Sequence, residues 1–246
     1  MDKKQLIIIG LSHHTATLDQ RSAFNWTAEQ QIKIRHELQQ KTWMCEHIIL
    51  TTCNRTEIIC LAEETPLRDW CNEQNIPSSI LYVLTHKRAT QHILRTLTGL
   101  DSLILGETEI IGQYKNALQT ALSTKACHKK LFGFVNRCIN LSKKMRQKTS
   151  IQHKPLAYYV VNKMTQVWPD LKNCKVLFIG AGTIIQQHLH YLQKFKLTQK
   201  KSLICRNPNA HQALAHRYQL NIFSESELTT QLNLHDCIIS ATNSPQ

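Results

Sequence analysis

Short apolar runs broken by polar stretches divide the chain into alternating strand-like and helix-like segments. Leu6 to Gly10 predicts a buried strand ended by glycine, and Leu11 to Ala16 a polar loop after it. From Thr27 to Gln40, apolar Ile32, Ile34 and Leu38 stand among polar and charged neighbours. That spacing predicts a helix with Thr27 as its N-cap. Ile48 to Leu50 predicts a second buried strand. Thr51-Thr52-Cys53-Asn54 breaks it, and Ile58 to Leu61 resumes as a strand that can pair back. Pro66 to Gln74 predicts a short helix begun by proline. Ala89 to Thr98 predicts a stronger one, with Ile93, Leu94 and Leu97 on one face and Gly99 as its stop. Helical periodicity runs from Tyr114 to Lys148, with a break at Lys125 to His128. Leu131, Phe134, Val135, Cys138, Ile139 and Met145 make its apolar face.

Thr149 to Pro155 interrupts this pattern and is the predicted boundary between domains 1–150 and 151–246. Leu156 to Val167 predicts a helix. Lys175 to Ile179 then runs as a strand into Gly180-Ala181-Gly182 and a helix, the opening of a dinucleotide fold. In that fold the first glycine makes the turn. The second lets a pyrophosphate approach the backbone N–H groups of the helix start. The third fingerprint position is Ile185, neither Gly nor Ala, so the fingerprint is incomplete. Ser202 to Cys205 predicts the next strand, Asn209 to Tyr218 a helix and Asp236 to Ser240 a further strand. Arg206-Asn207, rather than an acid, ends the strand at Cys205. An acid there binds the ribose 2′-hydroxyl of NAD, whereas an arginine accommodates the 2′-phosphate of NADP. The candidate cofactor residues are Gly180, Ala181, Gly182, Thr183, Ile184, Ile185, Arg206 and Asn207, and the expected cofactor is NADPH. The predicted class is α/β in two domains. An N-terminal α+β domain precedes a Rossmann-like NADP-binding domain, incomplete because such a domain adds further strands after this point.

Charge narrows the partners. Lys plus Arg number 30 against 17 Asp plus Glu, a formal net charge of +13 over 246 residues. A chain this basic fits a polyanionic partner; the alternative is a solvated lysine surface. Basic density is local at Lys125–Lys130 and Arg137–Lys148. The end formed by Lys143, Lys144, Arg146 and Lys148 either faces RNA phosphates or is solvated. The first apolar run, Leu6 to Ile9, is too short for a signal peptide, and no run reaches the length of a membrane span. Nine cysteines with no Cys-x-x-Cys fit a reducing cytoplasm. His13-His14 has no partner at metal-ligand spacing, so no metal site is expected.

Candidate chemistry concentrates where Cys53 breaks an apolar run and Arg55 follows it. A thiol reacts as thiolate, and a nearby cation favours that form. Arginine also offers a planar fork that grips a carboxylate. Together they suggest acyl chemistry on an acidic substrate. From the residues alone Cys53 reads either as a nucleophile or as one more structural cysteine. His92 reads either as a satisfied core histidine or as a proton donor and acceptor.

Thr51-Thr52-Cys53-Asn54-Arg55-Thr56-Glu57 resembles the active-site signature of the glutamyl-tRNA reductases. A second block agrees in order and spacing: His92-Ile93-Leu94-Arg95, then Gly99 through Glu107, then Gly112-Gln113. Gly180-Ala181-Gly182 is a third, and the likeness runs from Leu6 to about Pro245. The resemblance implies that domain 1–150 binds glutamyl-tRNA. The Cys53 thiolate would attack the α-carbonyl of glutamate esterified to the tRNA, and NADPH would reduce the thioester to glutamate-1-semialdehyde, the first step of five-carbon tetrapyrrole synthesis. It further implies that Arg55 clamps the substrate carboxylate. Thr52, Asn54, Ser102, Glu107 and Gln113 would orient the glutamyl group, with Thr108 and Glu109 in the same substrate-binding stretch. His92 would assist proton transfer, and His13 would lie near the site. Glutamate-1-semialdehyde aminomutase is an implied partner, and a homodimer is implied only with a C-terminal domain.

Several positions depart from the family pattern. Ser12 stands where Asn is usual, Glu109 where Gln is usual and Thr183 where Glu is usual. Gln152-His153-Lys154-Pro155 replaces much of a small-residue patch, and Arg206-Asn207 reverses the usual order. Two alternatives follow: a catalytically impaired tRNA-binding relative, or another NADP-dependent acyl or thioester reductase. The family's connecting helix and C-terminal dimerisation domain have no counterpart, so the chain reads as a fragment or a short relative. It is expected to keep thioester formation and to be poor at hydride transfer.

Overall fold

The computed structural model describes residues 4–103, 105–149, 155–198 and 200–242. The departure at Gln152, His153 and Lys154, and Ile104 of the second motif block, lie outside the described residues. The chain divides into two compact units, Met1–His153 and Lys154–Gln246.

In the first unit β1 (Gln5–Ser12), β2 (Met44–Thr51), β3 (Arg55–Ala62) and β4 (Tyr82–Thr85) form a sheet in the order β2-β3-β1-β4. Every neighbouring pair is antiparallel. Side chains alternate across a strand, so the apolar runs of β1, β2 and β3 serve two faces. Ile7, Ile9, Leu11, Ile49, Ile58 and Cys60 belong to one core cluster. That face is covered from α2 (Ala28–Gln39) and α3 (Glu64–Glu73), which place Ile34, Leu38, Leu67 and Trp70 in the same cluster. Ile8, Ile48, Leu50 and Ile59 face the other way, against α4 (His86–Leu97), α5 (Glu109–Ser123) and α6 (Lys129–Lys148). A fully buried Ile or Leu contributes about 1.5–3 kcal/mol. A sheet covered on both faces therefore needs continuous apolar runs rather than alternation.

Caps set the helix starts. Thr27 and Gln30 form a reciprocal capping box that begins α2. Thr17 and Gln20 do the same for α1 (Leu18–Ala23), a helix that sequence periodicity did not reveal because it buries no residue. Gly10 sits opposite Glu57 in the sheet. A Cβ there would lie 2.4 Å from the Thr56 carbonyl oxygen, so the strand spacing itself requires glycine. One face prediction fails. Met145 is 40% exposed, and Ser142 and Arg146 are buried instead. Arg146 turns inward because carbonyls of Leu97, Gly106 and Glu107 accept its N–H groups at 2.6–3.1 Å. It therefore does not belong to the basic end formed by Lys143, Lys144 and Lys148.

The second unit contains α7 (Leu156–Val167), β5 (Val176–Ile179), α8 (Thr183–Lys194), β6 (Lys201–Ile204), α9 (Gln212–Tyr218), β7 (Leu220–Phe223), α10 (Leu228–Leu232) and β8 (Cys237–Ser240). Its sheet is wholly parallel, in the order β7-β6-β5-β8. That is the order of a Rossmann half, in which the chain reverses direction across the sheet between β5 and β8. Among the described residues no helix is long and apolar enough to cross a membrane.

Candidate active site

Cys53 occupies the connection between β2 and β3. Thr52 N–H donates to the Arg55 carbonyl at 2.8 Å. Thr52 Oγ1 accepts the N–H groups of Asn54 at 3.2 Å and Arg55 at 3.1 Å. This side chain replaces strand pairing for two amides and leaves Cys53 exposed at the tip. Thr52 thus shapes the turn. The loop after β1 closes on the same turn, with His13 N–H donating to the Asn54 carbonyl at 2.9 Å. His13 Nδ1 is buried without a hydrogen-bond partner among the described residues. Desolvation and the charges of His14 and Arg55 hold its pKa below the usual histidine value.

Arg55 does not stand open beside the thiol. It is 2% exposed and points into the unit. Nη1 donates to Glu57 Oε1 at 2.9 Å and to Thr96 Oγ1 at 3.3 Å. Nη2 donates to the Asp101 carbonyl at 2.6 Å and to Asp101 Oδ2 at 2.9 Å. Burial alone would disfavour its charge, but Glu57 beside it outweighs that and holds the guanidinium firmly protonated. Glu57 is wholly buried and would be pushed up by desolvation. Hydrogen bonding and charge from His92, with Arg55 and Tyr82, keep it well below the usual carboxylate range. His92 Nε2 lies 2.7 Å from Glu57 Oε1 and Tyr82 Oη 2.5 Å from the same oxygen. An ionised carboxylate only accepts, so His92 Nε2 carries the proton in this contact.

The expectation that Arg55 would favour the thiolate is therefore corrected. The Cys53 thiol is pushed up by desolvation, then by the negative charges of Glu107 and Glu109. A backbone N–H at the turn opposes them first, and after it the side-chain charge of Arg21 of α1. Arg21 Nε donates to the Cys53 carbonyl at 3.4 Å and Nη1 to the Ala16 carbonyl at 2.8 Å.

Loop 99–108 brings the other proposed substrate residues to this end of the unit. Asp101 joins it to Arg55, and Arg146 holds it through the Gly106 and Glu107 carbonyls. Ser102 and Glu107 are half-buried. Thr108 is exposed at the start of α5, where its side chain makes no cap, and Glu109 opens the helix. Gln113 follows within the next turn of α5 and is half-buried.

The second unit opens a cleft of about 740 Å³ lined by Gly180, Ala181, Gly182, Thr183, Ile184, Arg206 and Asn207. It lies at the C-terminal ends of β5 and β6, where doubly wound sheets bind ligands. Gly180 has φ +98°, and a Cβ there would lie 2.4 Å from the Ala241 carbonyl oxygen. Nothing lies within 4 Å of a Cβ built on Gly182. That free space fits close approach of a pyrophosphate to the start of α8. Arg206 is largely exposed, with Nε 3.4 Å from Glu225 Oε1. Asn207 Oδ1 accepts the Ala210 N–H at 3.3 Å and caps the short helix that follows. Ile185 does not line the cleft: it is fully buried in the core, on the side of α8 that packs against the sheet.

The sequence reading missed Glu57, Tyr82, Thr96, Asp101 and Arg21 as members of the site. A signal existed for Glu57. An acid two positions from Arg55 shares its face of a strand, and here it directly precedes the apolar run Ile58 to Leu61.

Comparison with known proteins agrees with this architecture. The family model "Glutamyl-tRNAGlu reductase, N-terminal domain" matches residues 9–149, and "Shikimate / quinate 5-dehydrogenase" matches residues 160–246. A glutamyl-tRNA reductase of Nitrosomonas europaea is 32% identical over 98% of this chain and 60% of its own length. One of Neisseria meningitidis serogroup B is 30% identical over the same shares. The chain thus spans about 60% of the length of these curated relatives. The solved glutamyl-tRNA reductase of Methanopyrus kandleri shares the fold, with TM-score 0.59 and 23% identity over 98% of this chain and 59% of that one. With residues 9–149 of the 246 matched by its N-terminal domain, the chain belongs to the glutamyl-tRNA reductase family.

Proposed function

We propose that this chain takes glutamyl-tRNA, transfers the glutamyl group to Cys53 and, with NADPH, yields glutamate-1-semialdehyde for tetrapyrrole synthesis. The observation that carries the reading is the exposed Cys53 turn, built directly onto the buried Arg55–Glu57–His92 network. In the acyl-transfer step the Cys53 sulfur bonds to the ester carbonyl carbon, and the bond from that carbon to the ribose oxygen breaks. The thiol proton ends on the departing ribose hydroxyl. His92 is assigned to that transfer through Nδ1, because Glu57 holds Nε2. Splitting reduction of an ester into thioester formation and thioester reduction replaces one hard step by two easier ones.

Arg55 keeps its proposed role as receptor of the substrate carboxylate, with a condition set by the geometry. Asp101 already occupies Nη2 and is 12% exposed, so an incoming carboxylate reaches the guanidinium by displacing it. Asn54, Ser102, Glu107, Thr108, Glu109 and Gln113 are the proposed polar surround of the glutamyl group. NADPH, when bound, supplies the hydride for thioester reduction. Gly180, Ala181, Gly182 and Thr183 would hold its pyrophosphate, and Arg206, with Asn207 fixing the loop, its 2′-phosphate. The proposed partners are glutamyl-tRNA and the aminomutase that consumes the reactive aldehyde.

The test is a single-turnover reaction with labelled glutamyl-tRNA, with and without NADPH. Label is expected on Cys53 without NADPH and, more slowly than acyl transfer, in glutamate-1-semialdehyde with it. Cys53→Ser is expected to abolish both. Label on another cysteine, or aldehyde formed by the Cys53→Ser chain, would refute the assignment.

A further inference from the structure

We propose that Arg21 is the positioning residue of Cys53: its guanidinium holds the Cys53 turn against α1 and supplies the positive charge that favours the thiolate. The proposal deepens the acyl-transfer reading above, since it concerns the same thiol. Three observations carry it. Arg55 has both terminal nitrogens engaged inside the unit with Glu57, Thr96 and Asp101. Arg21 reaches the turn from α1, with Nε to the Cys53 carbonyl and Nη1 to the Ala16 carbonyl. It is also only half-buried, so its charge lies at the same surface as the exposed thiol.

The charged groups facing the thiol come from three elements. Glu107 of loop 99–108 and Glu109 of α5 disfavour the thiolate, and Arg21 of α1 favours it. His13, from the loop after β1, contacts the turn through its backbone and feels Arg21 as well. Glu109 stands where the family pattern has a neutral Gln, so this chain holds one more negative charge near its thiol. Arg21 is a side-chain cation that acts against it. A guanidinium some angstroms from a partly exposed thiol shifts its titration by roughly half a pH unit at an effective dielectric between that of protein and water. At fixed pH below the midpoint, half a unit changes the thiolate fraction about threefold.

The experiment measures alkylation of Cys53 by iodoacetamide against pH in the full chain, read by peptide mass spectrometry so that Cys45 is counted separately. Arg21→Gln is expected to raise the Cys53 midpoint by about half a unit and to slow alkylation at pH 7 about threefold. Arg21→Lys keeps the charge and is expected to restore most of the rate. Glu109→Gln is expected to move the midpoint the opposite way. A midpoint unchanged in Arg21→Gln overturns the proposal. So does a shift of the same sign in Arg21→Gln and Glu109→Gln, which marks loosened packing rather than charge. The readout needs neither tRNA nor NADPH. Altered alkylation with acyl transfer absent would therefore sink the acyl-transfer reading and leave the Arg21 assignment standing.

Discussion

Glu57 accepts the Nε2–H of His92 at 2.7 Å from a position with no exposed surface. The same oxygen takes Arg55 Nη1 and the Tyr82 hydroxyl. One buried carboxylate thus fixes an imidazole, a guanidinium and a hydroxyl from three different elements. Removing its charge leaves Arg55 buried with less compensation. Breaking a buried pair in this way costs about 3–5 kcal/mol. Glu57→Gln is therefore expected to lower unfolding free energy by that amount and to slow acyl transfer at least tenfold. Tyr82→Phe, which removes one hydroxyl donor, is expected to cost about 1 kcal/mol. Urea unfolding of both variants checks the ranking, and equal losses would contradict it.

Cysteine reactivity should divide by exposure. Cys45 and Cys53 are exposed and the other seven cysteines are buried. Burial, with the acid beside it, pushes Cys127 up to about 12, and burial does the same for Cys71. Native iodoacetamide labelling at pH 8 is expected to mark Cys45 and Cys53, with the remainder reacting only in denaturant. Native labelling of Cys60 or Cys71 would show that the first unit opens in solution.

Stability should fall on mild acidification. Desolvation, with the Arg35 charge, pushes His47 down to about 4 from an ordinary 6.5, and its Nε2 has no partner among the described residues. Between those pH values the unfolded chain binds a proton that the folded one refuses. The neutral-histidine contribution is therefore complete above pH 6.5 and is lost progressively toward pH 4, by roughly 3 kcal/mol in all. Urea midpoints measured across that window are expected to fall, and His47→Gln to flatten the slope. An unaltered slope in the variant would place the proton uptake elsewhere, for example at His13 or His188, which are also depressed by desolvation.

The two glycines of the cleft should behave differently. At Gly180 a side chain meets the Ala241 carbonyl at 2.4 Å and a φ of +98°, so Gly180→Ala is expected to destabilise the second unit by about 2 kcal/mol or more. Gly182→Ala has room to fold normally. It is expected to weaken NADPH binding about tenfold by filling the space a pyrophosphate would need. Thermal unfolding and fluorescence titration separate the two effects.

If the basic excess meets RNA, binding should be steeply salt-dependent. Each Lys or Arg that neutralises a phosphate adds roughly −0.7 to −0.9 to the slope of log K against log salt. Glutamyl-tRNA affinity measured between low and moderate salt is expected to show several such contacts. A flat dependence would mean that Lys143, Lys144 and Lys148 are only solvated.

Local rules made much of this protein legible from its sequence. Continuous apolar runs announced β1, β2 and β3, because a sheet covered on both faces leaves no polar alternation to find. Thr27 marked the start of α2, and Lys175 to Gly182 marked β5 and its turn, since caps and glycine turns act within a few residues. The exposed position of Cys53 followed from the polar residues around it. Strand β4, with no fully buried residue, and helix α1, with none, carried no periodic signal. The direction of Arg55 was decided by tertiary structure alone. Strand pleating turns it inward with Glu57, and only folding brings Thr96 of α4 and Asp101 of loop 99–108, more than forty positions away, to meet its guanidinium. The same long-range closure moved the cation near the thiol from Arg55 to Arg21, which lies 32 positions from Cys53. Charge acts through space, so nearness in sequence pointed to Arg55 and gave no sign of Arg21.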